Sequence, residues 1–409
     1  MRLLPDWINA FVEYTEGFDS PVVFRRWAAL ASISAALQRK VSLFYKRRSL
    51  HANVYVIFVA GPASGKTTAI LAAKLLLGSI PTIKFSPQKG TRQKLYMNFA
   101  QAQDKVFISP TEMKIHSNYT IFSEEFGTLF GQYENEFMSD LNDFWDCIPT
   151  WTNETKNSGV DRIEGPYLVI LAGTTQKWIS EALGDRIYGT GFVSRTIFVV
   201  GEKLTQSAPT FEDDHPIEHP LLAPLKADLK RIHALKGSFR MDSEAQLLFQ
   251  GWHKDGMRPV PVDPRMIEYN ARREVHLLKL SMCISAARRD SMIVTETDLA
   301  DALNIMLAME CEMPRAFEMV GKNPLREQLD AGYKFLVIEH RRTRQPVSES
   351  RLRGYLLRDT PLQYIGHLIE SLISAGYTEA SGQAPSRLLT PTNPSTLEKR
   401  AKEHLDGSN

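Results

Sequence analysis

The stretch from Asn53 to Thr68 limits the fold of this chain more than any other. An apolar run, Val54 to Ala60, feeds directly into Gly61, Pro62, Ala63, Ser64, Gly65, Lys66, Thr67 and Thr68, and a helical stretch, Ala69 to Leu77, follows. Counted from Ala60, this is the spacing of a phosphate-cradling P-loop with Ala in the first Gly slot. The order has a physical reason. A buried parallel strand delivers the loop, small residues let backbone N–H groups turn toward a polyphosphate, and the next helix presents its positive N-terminal end. Lys66 is then placed to reach the β and γ phosphates, and Thr67 to hold Mg²⁺. A strand before the loop and a helix after it distinguish it from a Gly-rich turn and predict an α/β fold with a parallel sheet.

Size and charge set the frame around that motif. At roughly 100 to 200 residues per domain, 409 residues make two to three domains. The net charge is only +2, so a nucleic-acid surface has to be local. Cys147, Cys283 and Cys311 lie far apart without metal-ligand spacing and read as buried thiols of a reducing compartment. No long apolar run stands behind an N-terminal basic patch or elsewhere, so the expectation is a cytoplasmic protein with no membrane contact.

A P-loop that hydrolyses its nucleotide needs carboxylates at the end of a second strand. Asn118 to Ser123 is that strand, and Glu124 and Glu125 follow it directly. Neighbouring residues at a strand end point in different directions. Glu124 is therefore read as the water-mediated metal ligand and Glu125 as the base that polarises the attacking water; the plain alternative is an acidic pair favouring a helix dipole. Further on, Trp151 to Thr155 and Val160 to Ile163 flank Asn157, Ser158 and Gly159, which predicts a β-hairpin with Lys156 at a polar, basic tip. An apolar strand, Tyr167 to Gly173, ends in Thr174, Thr175 and Gln176, where a polar group can sense a γ-phosphate. A glycine-rich segment ending in Ser194 and Arg195 precedes another strand, Thr196 to Val200.

This order of motifs resembles the AAA+ helicase clade that includes the minichromosome-maintenance helicases. More closely, the Arg25, Arg26, Trp27 helix, the Thr-rich hairpin and the GTGFVSRTIFVV stretch resemble helicase-like proteins of phages and prophages, a family often described only as a domain of unknown function; the likeness covers most of residues 10 to 320. The resemblance implies an ATPase with Mg²⁺ that assembles as a ring, in all expectation a hexamer. It implies a hairpin in the central channel that contacts single-stranded DNA through Lys156, with Arg162 in support. It also implies that Arg195 acts in trans on the neighbouring subunit's ATP. A planar guanidinium suits that role, because a transferring phosphoryl group spreads its charge over three oxygens.

The remaining segments are read as follows. Residues 1–50 form a helical N-terminal segment, with Trp7 to Tyr14 and Val22 to Gln38 amphipathic; its basic knot of Arg39, Lys40, Lys46, Arg47 and Arg48 is read by default as a solvated linker. Residues 51–240 are the ATPase core and 241–322 a helical lid. Within the lid, Ala271 to Ala287 has helical periodicity, Met292 to Val294 favours a strand, and Thr295 to Asp298 caps another helix. Arg272 falls where the family's sensor 2 arginine sits, with Arg273 the adjacent rival. Residues 323–392 read as a winged helix rich in arginine (Arg341, Arg342, Arg344, Arg351, Arg353, Arg358), for DNA or for partner proteins of replication, and 393–409 as a mobile tail. The combined expectation is an ATP-driven helicase or translocase of a phage or mobile element acting on single-stranded or forked DNA. Two alternatives stay open: a helicase loader or transposition-type regulator, and a non-translocating regulatory or defence ATPase.

Overall fold

The computed structural model describes all residues except 1, 88–89, 110–111, 130–134, 156–158, 183–190, 203–218, 321–325, 361, 375 and 393–409. The chain opens with α1 (Trp7–Tyr14), α2 (Val22–Leu37), β1 (Val41–Tyr45) and β2 (Arg48–Leu50). β3 (Tyr55–Val59) enters the P-loop and α3 (Lys66–Leu77) leaves it. Then come α4 (Arg92–Gln101), β4 (Gln103–Ser109), β5 (Glu112–Ser123), α5 (Asn135–Asp146), β6 (Thr150–Thr155), β7 (Gly159–Glu164) and β8 (Tyr167–Thr174). They are followed by α6 (Gln176–Ala182), α7 (Phe192–Arg195), β9 (Thr196–Val200), α8 (Leu222–Ala234) and β10 (Gly237–Met241). α9 (Ser243–Lys254), α10 (Ile267–Asn270), α11 (Arg273–Arg288), β11 (Ile293–Val294) and α12 (Glu296–Glu312) complete a compact unit that runs from Met1 to Gly321.

The central sheet has the strand order β4-β5-β8-β3-β9. β3 lies in its interior, parallel to both neighbours, with Val59 level with Thr174 on one side and Val200 on the other. Every residue of β3 and β8 is buried, which is why both read as unbroken apolar runs rather than alternating ones. β5 continues the parallel set, with Ser123 opposite Ala172, while its first half pairs antiparallel with β4. α2 supplies much of the cover. From Phe24 to Leu37 it is buried almost throughout, its alanines allow close approach, and Phe24 stacks on Phe58 with ring centroids 4.5 Å apart.

A second sheet, β11-β10-β1-β2, joins the N-terminal segment to the region beyond residue 236. β1 and β10 pair in parallel, Val41 opposite Gly237. This corrects the solvated-linker reading for Arg39 and Lys40, while Arg47 and Arg48 are exposed where β1 turns into β2. Lys40 is buried and donates to the His233 carbonyl, Arg39 donates to the carbonyls of Ile148 and Pro166, and Lys46 reaches Glu274 at 2.8 Å. The N-terminal segment, the sheet core and the helices after residue 241 share one continuous apolar core. α11 carries two fully internal cations, each satisfied: Arg273 pairs with Glu310 at 2.7 Å, and Lys279 donates to Asn53 Oδ1 at 2.6 Å. α12 starts from the capping box of Thr295 and Asp298. Of the cysteines, Cys147 and Cys283 are buried and Cys311 is exposed, so the buried-thiol expectation fails at Cys311.

The second unit, Lys322 to Asn409, comprises α13 (Arg326–Thr343), β12 (Val347–Ser348), α14 (Glu349–Leu356), α15 (Leu362–Ser374), β13 (Thr378–Ser381) and β14 (Leu388–Pro391). Its antiparallel sheet has the order β12-β14-β13, and Leu336, Leu352, Ile365, Leu368 and Leu389 fill its own core. Glu349, fully buried, accepts from Arg353 at 2.8 Å and Arg387 at 2.6 Å. Burial alone raises its pKa, but these two guanidiniums bring it below the usual carboxylate range.

Candidate functional site

The P-loop sits at the C-terminal end of β3, and its backbone explains its glycine. Gly65 has φ +76°, and a Cβ there would meet the Asp19 carbonyl oxygen at 2.0 Å. The turn at Asp19 and Ser20 thus packs directly against the loop. Lys66 Nζ donates to the carbonyls of Ala60 at 2.7 Å and Gly61 at 2.6 Å and to Ser64 Oγ at 3.1 Å. An incoming phosphate would compete for this ammonium against these neutral acceptors. Burial lowers the Lys66 pKa, and the charge of Glu125 opposes that shift. Thr67 and Thr68 lie in the first turn of α3, at the end of the helix that favours an anion.

β5 ends beside the loop and presents both carboxylates, which are exposed. Gly173 of β8 makes this approach possible, since a Cβ on it would stand 2.5 Å from the Glu124 carbonyl. The carboxylates act on different cations: Glu125 on Lys66, Glu124 on Lys74 two turns further along α3. Glu125 is therefore the acid most closely coupled to the P-loop lysine. Thr174 also belongs here. Its carbonyl accepts the Ala60 N–H at 3.3 Å, and its hydroxyl, in a residue only 3% exposed, has no partner among the described residues. A buried, unpartnered hydroxyl next to the P-loop strand and the end of β5 is a group that a phosphate oxygen would satisfy. Among the described residues no group of three or more His, Cys, Asp or Glu could hold a metal alone.

Arg195 lies at the opposite end of the sheet. It immediately precedes β9, which runs parallel to β3 with Thr196 level with Tyr55. Five strand residues at about 3.3 Å each put it ~16 Å from the P-loop end. There it pairs with Asp146, Nη2 to Oδ2 at 2.5 Å, and donates to the Gly191 carbonyl at 3.0 Å. Arg272 reaches the other oxygen of the same carboxylate at 3.3 Å. Both guanidiniums also lie over Trp145, at 5.8 and 5.7 Å from the ring centroid, and Lys279 Nζ lies 3.7 Å from it. Burial first, then repulsion from Arg195, lowers the Arg272 pKa. His276 holds this end together by donating from Nε2 to the Ser194 carbonyl at 2.9 Å, and burial keeps its ring neutral, with a pKa of about 3.

Within one chain, then, Arg272 does not converge with Lys66. The expectation that it binds nucleotide has to refer to the nucleotide that Arg195 would serve. Its rival, Arg273, is taken up by Glu310 and by the carbonyls of Met257 and Pro259. The sequence reading missed Asp146 and Trp145 altogether. Their only visible signal is a Trp-Asp pair just before the hairpin.

The hairpin forms as β6 and β7, paired from Thr150 opposite Glu164 to Thr155 opposite Gly159, so Gly159 belongs to the strand and not to the turn. Lys156 lies outside the described residues. Arg162 is exposed and is paired with Glu164. Among the described residues, no helix is long and apolar enough to cross a membrane. No family model matches the sequence, and no curated protein matches it significantly.

Proposed function

We propose that the chain is an AAA+ ATPase that assembles head to tail into a ring and moves along single-stranded DNA. The observation that carries this reading is the separation of two half-sites. Lys66, Thr67, Glu125 and Thr174 gather at one end of the sheet, and Arg195 and Arg272 gather at the other, a strand length away. One subunit holds both halves and cannot bring them together. A heterologous interface would join them, and such an interface gives a ring where its rotation closes, here expected to be a hexamer.

In this reading the loop N–H groups and Lys66 bind the β and γ phosphates of ATP. Thr67, with Glu124, would hold Mg²⁺, which would supply neutralisation of phosphate charge when bound. Glu125 orients the attacking water, and Thr174 offers its unpartnered hydroxyl to the γ-phosphate. Arg195 and Arg272 of the next subunit leave Asp146 to neutralise the charge that develops on transfer. The β6–β7 hairpin, with Lys156 at its tip in sequence, grips the DNA strand. In the second unit, the helix-strand-helix-helix-hairpin order reads as a winged helix. Its exposed Arg341, Arg342, Arg344, Arg351 and Arg358 offer phosphate contacts.

The test is ATP-dependent strand displacement on a forked duplex with the intact protein, Lys66→Ala and Lys156→Ala. Loss in both variants, with ATP hydrolysis surviving in Lys156→Ala, supports the motor. ATP hydrolysis on DNA without any displacement by the intact protein overturns it in favour of a loader or regulator.

A further inference from the structure

A cavity of about 360 Å³ opens at the root of the hairpin, at the end of the central sheet away from the P-loop. Arg39, Lys40, His51, Lys114 and His116 line it, together with serine hydroxyls, and no carboxylate is among its described lining residues. Asp104, opposite His116 in the β4–β5 register, acts on Lys40 from outside the lining. Arg39, Lys40 and Lys114 make this a local basic patch in a chain of net charge +2.

One group in it is poised and unused. His116 is 2% exposed, yet its Nε2 has no partner among the described residues. A buried polar atom left unpaired costs free energy unless a ligand or water completes it. His51 takes no part as a donor: it gives its Nδ1–H to the Val41 carbonyl at 2.7 Å, which leaves the neutral ring only an acceptor at Nε2. Burial and the surrounding cations depress both rings, His51 to about 3 and His116 to about 4. The wall is also tied to the hairpin. Arg39 Nη1 donates to Ile148, just before β6, at 3.1 Å and to Pro166, just after β7, at 2.9 Å. Gly165 packs so closely that a Cβ would stand 3.0 Å from His116 Cβ.

We propose that this cavity is a second oxyanion site, distinct from the P-loop, that takes a phosphate group. The phosphate comes either from the backbone of a nucleic-acid strand or from a free phosphate compound. The proposal does not rest on the motor reading, since it needs neither ATP hydrolysis nor a ring. By bridging Arg39, Lys114 and His116, the ligand would join the hairpin root to β5.

The test uses the full chain carrying Lys66→Ala, which removes the P-loop lysine as a competing site. Inorganic pyrophosphate is titrated by calorimetry, and a fluorescent oligothymidylate by anisotropy. Adding His116→Gln is expected to weaken pyrophosphate binding about tenfold or more, the size of a lost hydrogen bond to a charged group. Lys114→Glu, at an exposed position, should do the same and keeps the test decisive if His116→Gln fails to fold. A parallel loss of oligothymidylate affinity assigns the site to strand phosphates; loss for pyrophosphate alone assigns it to a free phosphate compound. Unchanged affinity for both probes in Lys114→Glu, or no pyrophosphate binding in the Lys66→Ala chain, overturns the site.

Discussion

Two inactive proteins should restore each other. If Arg195 serves a neighbour's nucleotide, an Arg195→Ala subunit keeps a sound P-loop and a Lys66→Ala subunit keeps a sound arginine. Alone, Arg195→Ala is expected to lose roughly 10³-fold or more in ATP turnover, by analogy with arginine fingers elsewhere. The loss is not one of folding, because Asp146 retains Arg272, and Trp145 retains Arg272 and Lys279. Stability should fall by no more than about 1–2 kcal/mol, the scale of one charged hydrogen bond. Mixed in equal amounts, the two variants form random head-to-tail interfaces, of which about a quarter join the sound P-loop to the sound arginine. Steady-state ATP hydrolysis of the mixture should therefore rise to roughly that fraction of the native rate, against a near-zero sum of the parts. The separation of ~16 Å between Arg195 and the P-loop end of its own sheet makes the same recovery impossible within one chain. Mixed assemblies that stay as inactive as their components would refute the reasoning, as would an assembled Arg195→Ala protein with native turnover.

Other perturbations follow from the same geometry. Gly65→Ala sets a Cβ 2.0 Å from a backbone oxygen at a φ of +76°, so binding of a fluorescent ATP analogue should fall by an order of magnitude or more; affinity within threefold of native contradicts the close packing of Asp19 on the loop. Thr174→Val removes an unpartnered buried hydroxyl, so the melting temperature should hold or rise while ATP turnover drops, and a loss of stability without loss of turnover would count against its role. His276 is buried and neutral with a pKa of about 3, so the unfolded chain takes up a proton first as pH falls below 6.5. Stability is therefore lost on acidification, by ~2 kcal/mol at pH 5 from this residue, and urea titrations of His276→Gln should show a shallower loss between pH 6.5 and 5. Asp146→Asn weakens the hold on both arginines; a double-mutant cycle with Lys156→Ala, read as DNA stimulation of ATP hydrolysis, should give a coupling of about 0.5–2 kcal/mol, and additivity would separate the two sites.

What the sequence made legible is what local chemistry determines. The P-loop, the apolar strands β3, β8 and β9, the Thr295 cap and the paired strands of the hairpin all write themselves within a dozen residues. The second sheet does not. β1 and β10 are short, half-buried strands whose partners lie almost the length of the core apart, so residues 39–48 look like a charged linker until Gly237 is laid beside Val41. Asp146 is hidden for the same reason. Nothing near it in sequence reveals that Arg195 and Arg272 both close on its carboxylate. Arg272 and Arg273 are indistinguishable by pattern, and only the position of Glu310 one helix later decides which is buried.

The chain itself connects the arginine pair to the hairpin. Asp146 ends α5, Cys147 turns the backbone at φ +53°, and the Ile148 carbonyl is already held by Arg39 at the wall of the basic cavity. Two peptide units therefore separate the carboxylate that holds Arg195 and Arg272 from the anchor of β6. Neither end is slack, since Asn53 Nδ2 donates to the Trp145 carbonyl at 3.0 Å and the Gly165 N–H closes the root on Pro149 at 2.8 Å. A phosphate that drew the arginines off Asp146 would leave a partly buried carboxylate without its charge partners. Such a group gains by moving toward water, and the C-terminal turn of α5 is what must move with it. The displacement would enter the hairpin at Ile148, whose carbonyl is held by Arg39 in the lining of the cavity that His116 and Lys114 share, so a phosphate in the cavity and a nucleotide at the proposed subunit interface would bear on the same few residues.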